Sequence, residues 1–207
     1  MKKLLLSLIF ILPLFVFGQK ALRDSIYIKT NMFEIVYSEK LQQPKFIRYS
    51  VPCPNGTANR KGMDFYTCDS ILTSDNKDYE NNPYDKGHLA PAADFNCDRD
   101  MLYKTFTYLN CSLQQENLNR TTWRLLEARE RELAKTQPVT VEIRCVFTPK
   151  SVVLPTGATI PDGYYKTIKY GKTVEKYYFK NKKPLSTDFT KYKIKWEKLM
   201  SAYMEFN

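Results

Sequence analysis

Residues 117–134 carry the pattern that most restricts how this chain can fold, because they combine helical spacing with an absence of glycine and proline. Their large or acidic side chains recur three or four positions apart, at Trp123, Leu126, Glu127, Glu130 and Leu133. This spacing predicts an amphipathic helix that ends before Pro138.

One face of the predicted helix is mixed rather than apolar. At about 100° of rotation per residue, Asn119, Trp123, Leu126, Glu127 and Glu130 fall on the same side. A helix with a purely structural role would keep that side apolar, because buried acids and amides are tolerated only with partners. The helix is therefore a candidate wall of a polar site, although Trp123 alone is more simply explained as a core residue.

Most other patterned segments predict strands. Residues 32–37 and 45–51 mix aromatic and β-branched residues on either side of Gln43 and Pro44, which predicts two strands joined by a turn or short loop. Residues 139–147 alternate apolar and polar side chains, which predicts a third strand.

The C-terminal third predicts a hairpin and a final helix. Residues 164–170 and 174–179 flank Gly171 and Lys172, as two strands around a tight turn would, and residues 186–203 are expected to end in a helix. The order of elements predicts an α+β fold with a mainly antiparallel sheet.

Residues 52–83 form a long polar connection rich in Pro, Asn, Gly and Asp. A connection of this length in a compact domain is usually functional or tied down by crosslinks.

Five cysteines are available for such crosslinks: Cys53, Cys68, Cys97, Cys111 and Cys145. They lack the paired short spacings of a zinc site, so disulfides are the better expectation in an oxidising compartment. Cys145 shares a strand face with apolar residues, and we expect it to be a buried free thiol. The other four can pair in three ways, of which we favour Cys53 with Cys68 and Cys97 with Cys111.

The N-terminus has the pattern of a secretory signal peptide. Lys2 and Lys3 precede an apolar run over residues 4–17 that is too short to span a bilayer and ends at Gly18. We expect a signal peptide over residues 1–18 and a single domain over residues 19–207. No later segment is long and apolar enough to span a membrane, so we expect a secreted or periplasmic protein without stable membrane insertion.

Charge points to an anionic partner. The chain has 32 Lys and Arg against 22 Asp and Glu, a formal net charge of +10, of which the signal peptide would remove Lys2 and Lys3. Such an excess favours nucleic acid or an anionic surface, through phosphate neutralisation and counterion release.

The only histidine in the chain is His88, which follows Asp85, Lys86 and Gly87. Histidine alone has an unperturbed pKa near neutrality, so His88 is the obvious candidate for proton transfer. A lone histidine is more often a solvated or hydrogen-bonded structural residue, and the decision depends on its neighbours.

Two segments resemble a known family. Residues 84–94 are similar to the Asp-Arg-Gly-His motif of the DNA/RNA non-specific endonucleases, the Serratia nuclease and endonuclease G type, which contain a ββα-metal finger. Residues 110–127 resemble that family's Asn-x-x-Pro-Gln and Leu-Asn-Gln-x-x-Trp-x-x-Leu-Glu signature, and a weaker likeness continues through residues 160–166. The two signatures occur in the right order and separation, so the resemblance spans most of the chain after the signal peptide.

The resemblance implies catalytic roles for three residues. His88 would be the general base that takes a proton from the attacking water, and Asn110 would lie near the metal and phosphate. Glu127 would accept hydrogen bonds from water that hydrates the cation; it lies about 12 Å along the helix from Asn119. The plainer alternatives are a turn residue for Asn110 and, for Glu127, an ion pair with Arg131.

The resemblance also implies a metal and a substrate site. Asn119 would hold one Mg2+, with Mn2+ as an alternative, through its amide oxygen, which suits a cation that prefers oxygen ligands and keeps several waters. Lys86, Arg131 and, by a looser alignment, Arg60 would bind substrate phosphate.

Two residues depart from the family pattern, and Asp85 keeps to it. Lys86 replaces an arginine, which keeps the charge but loses the planar fork for bidentate phosphate contact. Leu113 replaces a proline, which could relax the approach to Asn119. Asp85 is expected to orient the histidine loop.

The sequence thus predicts an exported, metal-dependent endonuclease that cuts DNA and RNA with little sequence preference. The alternative is a basic module that binds nucleic acid without cutting it, but such a module needs neither His88 nor Asn119. A metal-dependent phosphatase is less well supported, because such enzymes usually bind two metals through several Asp and His ligands and this chain has one histidine.

Overall fold

The computed structural model describes residues 21–194. Within them the strands are β1 (Ile26–Lys29), β2 (Phe33–Ser38), β3 (Gln43–Ser50), β4 (Tyr84–His88), β5 (Cys111–Gln115), β6 (Val139–Val146), β7 (Gly163–Tyr170) and β8 (Thr173–Lys180). Six of them form one sheet in the order β1-β2-β3-β6-β7-β8, and all neighbours are antiparallel. The prediction of an α+β fold with a mainly antiparallel sheet is confirmed.

The core lies on the inward face of this sheet. Alternate side chains of a strand point to opposite faces, and the inward positions of β2 and β6 are apolar and buried. Trp123 packs on the sheet with its ring centroid 5.4 Å from that of Tyr164 and 5.6 Å from that of Phe179. Trp123 is fully buried, so the helix that carries it is fixed to the sheet.

The chain between β3 and β6 builds a two-strand finger followed by a helix. β4 and β5 pair antiparallel, with His88 opposite Cys111, and α1 (Arg99–Lys104) lies in the connection between them. β5 runs directly into α2 (Glu116–Leu118), a π-helical segment (Asn119–Trp123) and α3 (Arg124–Ala134). The predicted helix over residues 117–134 is confirmed, but the π-helical segment was not foreseen.

Short 3-10 helices complete the described secondary structure. They span Asn76–Tyr79, Ala92–Asp94, Tyr108–Asn110 and Phe189–Tyr192. In residues 21–194 no helix combines the length and apolar character that crossing a membrane requires.

One disulfide closes the long connection, and the expected pairing was wrong. Cys53 is bonded to Cys97 across 44 residues, because the Cys53 N–H donates to the Asp94 carbonyl at 3.1 Å and brings the two cysteines together. Cys68 is free in a separate turn, and Cys111 is free in β5 with its Sγ 3.2 Å from the Tyr79 hydroxyl. Cys145 is a buried free thiol, as predicted.

Two further sequence predictions can be compared with the structure. The predicted hairpin around Gly171 is confirmed, and Gly171 adopts a positive φ of 51°. The first two long strands also form a hairpin, but Gln43 and Pro44 belong to β3 and the turn precedes them. Pro44 has no N–H to donate and is accommodated where the register with β2 shifts. Within residues 186–194 the structure has the 3-10 helix Phe189–Tyr192 and no α-helix. The predicted signal peptide and the part of the predicted C-terminal helix after residue 194 lie outside the described residues.

Candidate active site

Asn110 holds the backbone that follows His88. Its side chain is fully buried; Nδ2 donates to the carbonyl oxygens of Ala90 at 2.9 Å and Thr105 at 3.0 Å, and Oδ1 accepts from the Ala90 N–H at 2.8 Å. These bonds use both donors of the amide. Asn110 therefore fixes the turn after β4, and its implied place near a metal and a phosphate stays a prediction.

The His88 ring is packed between two phenylalanines. Its centroid lies 4.5 Å from the Phe65 ring and 4.8 Å from the Phe106 ring. Part of His88 is accessible, whereas Nε2 is buried and has no hydrogen-bond partner in residues 21–194. Burial, assisted by the positive charge of Arg60, lowers the pKa of His88 to about 3. The ring is therefore neutral near pH 7 and can accept a proton.

Arg60 lies on an exposed loop that α1 holds in place. Arg99 donates to the carbonyl oxygens on either side of it, Asn59 at 2.9 Å and Lys61 at 3.2 Å. The Arg60 guanidinium forms no ion pair in the described part of the chain. A fixed backbone thus presents an uncompensated positive charge close enough to His88 to affect its pKa.

Lys86 lies on the same face of β4 as His88, and its ammonium donates hydrogen bonds to two side chains. Its Nζ lies 2.9 Å from Asp64 Oδ1 and also donates to Asn76 Oδ1. The ammonium lies 6.0 Å from the Phe65 ring centroid and 5.9 Å from that of Tyr108. Lys86 therefore ties β4 to the long connection, and part of its charge is neutralised by Asp64.

Asp85 joins β4 to the helix. Its Oδ2 accepts from Asn119 Nδ2 at 2.9 Å, and the two carboxylate oxygens accept from Arg120 Nε at 2.9 Å and Nη2 at 2.6 Å. Asp85 was expected to orient the histidine loop, but its side-chain contacts go to the helix. The Asn119 Oδ1 atom accepts no hydrogen bond from residues 21–194, so the Asp85 contact leaves this oxygen available for another ligand.

Glu127 lies on the same helix and is half-buried. In residues 21–194 its carboxylate forms no ion pair, and a hydrogen-bond interaction with the Trp123 side chain favours its ionised form. Burial raises the pKa of Glu127 to about 7; the positive charges of Lys166 and Arg131 oppose this increase and the Glu130 carboxylate adds to it. The expected alternative, an ion pair with Arg131, is absent, because Arg131 Nη1 donates to the buried Asp94 Oδ1 at 2.8 Å.

A buried charge cluster lies beside Glu127, and the sequence reasoning missed most of it. Lys166 Nζ is 2.7 Å from Glu130 Oε1, and both side chains are fully buried. The Tyr49 hydroxyl donates to Glu130 Oε2 at 3.0 Å. The sequence did indicate that Lys166 is buried, because the period of two in β7 places it on the same face as the buried Tyr164 and Ile168.

The structure thus assembles the predicted site residues in two groups. Arg60 lies close to His88, and Asn119, Glu127 and Arg131 share one helix that Asp85 joins to β4. Lys86 and Arg131, both expected to bind phosphate, already have the carboxylate partners Asp64 and Asp94. The groups that sequence reasoning missed are Phe65, Phe106, Arg120, Asp94 and Lys166.

Comparison with known proteins adds three findings. A family model described as DNA/RNA non-specific endonuclease matches residues 13–203. Over 100 residues the chain is 34% identical to the mitochondrial endonuclease G of Bos taurus, which covers 46% of this chain and 33% of that protein. The corresponding human protein is 32% identical over 100 residues, covering 46% of this chain and 34% of that protein. The match therefore spans about one third of the length of these relatives.

The fold has a counterpart among solved structures. The chain superimposes with a TM-score of 0.74 on a protein from the crystal structure of the EndoG/EndoGI complex, which concerns the mechanism of EndoG inhibition. The match covers 84% of this chain and 82% of that chain at 23% identity. This likeness extends the agreement in fold over most of the molecule.

Proposed function

This chain belongs to the DNA/RNA non-specific endonuclease family, and we propose that it is an exported, metal-dependent nuclease that hydrolyses phosphodiester bonds of DNA and RNA with little sequence preference. The observation that carries the proposal is the presence, on one β-β-helix finger, of a neutral, partly accessible His88 and of an Asn119 whose amide oxygen has no hydrogen-bond partner within residues 21–194. A protein that only binds nucleic acid has no need of either group.

His88 acts as the general base. Hydrolysis of a phosphodiester needs a water molecule from which a proton is removed as it attacks phosphorus. The neutral imidazole offers one unprotonated nitrogen for that proton, and the two phenylalanine rings fix the plane of the ring. Asn110 contributes by holding the backbone after His88.

Asn119 is the residue that would hold Mg2+, or Mn2+ in its place. The fit is chemical: an amide oxygen suits a hard cation, and the bond from Nδ2 to Asp85 points the other end of the amide away from that carboxylate. When bound, the cation would supply positive charge for the phosphate and the leaving oxygen. Glu127 would accept hydrogen bonds from the waters around the cation, because its carboxylate forms no ion pair in residues 21–194.

Three basic residues would bind the substrate phosphates, and they differ in how free they are. Arg60 is exposed and unpaired in the described structure, which makes it the principal candidate. Lys86 and Arg131 are held by Asp64 and Asp94 and would contribute a weaker, partly neutralised charge. The excess of 32 basic over 22 acidic residues supports DNA and RNA as substrates.

A phosphatase is the less favoured enzyme class. In residues 21–194 no group of three or more His, Cys, Asp or Glu side chains could hold a metal ion, whereas phosphatases of that class assemble such groups around two metals.

Export is part of the proposal. The signal peptide predicted over residues 1–18 would direct residues 19–207, one nuclease domain, to the periplasm or beyond. The Cys53–Cys97 disulfide supports this, because disulfides form and persist in oxidising compartments.

The proposal is tested by cleavage of supercoiled plasmid and of a structured RNA by the protein without residues 1–18. We expect cutting of both polymers with Mg2+ and none with EDTA. His88→Ala and Asn119→Ala should each reduce the rate at least about a hundredfold, as expected for loss of a general base or of a metal site.

Binding measurements separate the rival function. Salt-sensitive binding of both polymers without cutting under Mg2+ or Mn2+ would favour the binding module. The matched control is Asn117→Ala, which changes an asparagine on α2, two residues before Asn119, and should retain full activity.

A further inference from the structure

Lys166 lies at a position where burying a charged side chain carries a large desolvation cost. It lies on β7 with a fully buried side chain, its Nζ 2.7 Å from Glu130 Oε1 and 4.3 Å from the centroid of the Trp123 ring. Replacing a buried ion pair with apolar side chains often costs no stability. The fold alone therefore does not explain a charged group at this position.

The two contacts of Lys166 place its ammonium beside Glu127. Trp123 precedes Glu127 by four residues and Glu130 follows it by three, so all three side chains share one face of the helix. An ammonium in contact with both Trp123 and Glu130 spans the position between them.

The charges around Glu127 do not balance. The buried cluster contains three carboxylates, Asp94, Glu127 and Glu130, and two cations, Arg131 and Lys166. Arg131 is paired with Asp94 and Lys166 with Glu130, which leaves Glu127 without an ion pair among the described residues. The positive charge of Lys166 therefore acts on Glu127 through space, without an ion pair between the two side chains.

We propose that Lys166 is a positioning residue for the nuclease reaction: held between Trp123 and Glu130, its ammonium favours the ionised form of Glu127 without forming an ion pair with the Glu127 carboxylate, which can therefore accept hydrogen bonds from water. This inference rests on the proposed function. A lysine bonded directly to Glu127 would also favour the ionised form, but it would occupy the acceptor atoms that the reaction uses.

The electrostatics of the cluster agree with this geometry. The positive charge of Lys166 is the strongest influence that opposes the rise in the pKa of Glu127 caused by burial. The other groups that face Glu127 are Glu130 and Arg131 on its own helix, Asp94 in the turn after β4 and Tyr49 on β3. The Lys166 charge lowers the pKa of Glu127, whereas the Glu130 charge raises it.

The test compares Lys166→Met with Glu130→Gln in the pH dependence of kcat/KM for plasmid cleavage under Mg2+. Loss of the Lys166 charge should move the acidic limb upward by about one pH unit, and loss of the Glu130 charge should move it downward. A residue that only supports the fold would lower the rate or Tm in both variants without opposite shifts. Glu130→Gln keeps an acceptor for Tyr49, so it decides the question if Lys166→Met does not fold.

A second measurement does not depend on activity. In protein labelled with 13C at glutamate side-chain carboxyls, the Glu127 signal, assigned through Glu127→Gln, should titrate higher in Lys166→Met and lower in Glu130→Gln. If the enzyme cuts nothing but these shifts appear, the proposed function fails and the role of Lys166 toward Glu127 stands.

The matched control is Lys169→Met, which removes a lysine from the same strand. Lys169 is exposed and paired with Glu142, away from the cluster, so this variant should leave the pH profile and the Glu127 titration unchanged. Identical Glu127 titrations in wild type, Lys166→Met and Glu130→Gln would overturn the inference, whatever happens to Tm.

Discussion

The two sides of the finger stabilise their key residues by different means. On the β4 side, His88 lies between the rings of Phe65 and Phe106, and its buried Nε2 has no hydrogen-bond partner in the described chain. On the helix side, Asn119 is held by a hydrogen bond to Asp85, and Glu127 lies beside a cluster of ion pairs.

This difference agrees with the charge that the proposed role of each residue requires, a general base for His88 and a hydrogen-bond acceptor for water for Glu127. A general base has to be uncharged when it takes up a proton, and apolar packing disfavours the protonated ring, which gives His88 a lowered pKa. An acceptor for water around a cation has to be ionised, and burial works against that. The helix side therefore needs nearby cations, while the β4 side needs apolar neighbours.

The strongest test of the contrast is Asp85→Ala. Loss of this carboxylate releases both the Asn119 amide and the Arg120 guanidinium, and we expect a ten- to hundredfold loss of activity, typical for residues that orient a metal ligand. The loss should appear mainly as a need for more Mg2+ in cleavage assays. Asp64→Ala, which removes the exposed partner of Lys86 on the opposite side, is the control and should cost much less.

Phe106→Leu tests the apolar side. The smaller side chain should admit water to the His88 ring, raise the pKa of His88 toward its ordinary value and slow cleavage severalfold, at a stability cost of about 1 kcal/mol. Because His88 is the only histidine, its proton NMR resonance reports the pKa without assignment. Phe95→Leu, in the core next to Phe33, should lose similar stability with no change in the His88 titration.

The smallest expected effect is on the pH dependence of stability, measured in EDTA, to which the two sides of the finger contribute with opposite signs. The pKa of His88 is lowered to about 3, so its contribution is present above pH 6.5 and is lost as the pH falls toward 3. The pKa of Glu127 is raised to about 7, so its contribution is present below pH 4.5 and is lost as the pH rises through 7.

Two variants separate these contributions. As the pH falls from 6.5 to 4.5, His88→Leu should gain stability relative to wild type and Glu127→Gln should lose it, each by about 1 kcal/mol or more in thermal or urea unfolding. If the stability of both variants relative to wild type changed in the same direction with pH, His88 and Glu127 would not have the opposite pKa shifts described above.

The sequence predicted the parts of this molecule that depend on local pattern. Alternation and helical spacing located the long strands, the hairpin at Gly171 and the helix with Trp123 in the core. The family resemblance singled out His88, Asn119 and Glu127, which lie on β4 and the helix of one finger.

Features that depend on distant parts of the chain were missed. The disulfide partner of Cys53 is set by a backbone hydrogen bond to Asp94, which no spacing of cysteines reveals. The partners of Lys86 and Arg131 come from other segments, so a charge that seemed free in the sequence is paired in the fold. Lys166 was overlooked because a lysine in a strand is usually solvent-exposed.

The π-helical segment has a consequence for the direction in which two side chains point. Eight residues separate Asn119 from Glu127, and in a regular α-helix that many steps would leave them about 80° apart around the axis. A π-helical turn accommodates one extra residue, so the rotation is nearer to seven steps and the angle shrinks to about 20°. The wider turn over Asn119–Trp123 thus aligns the amide and the carboxylate along one line of the helix, whereas the same residues wound as a regular α-helix would hold the two groups on different sides of the finger.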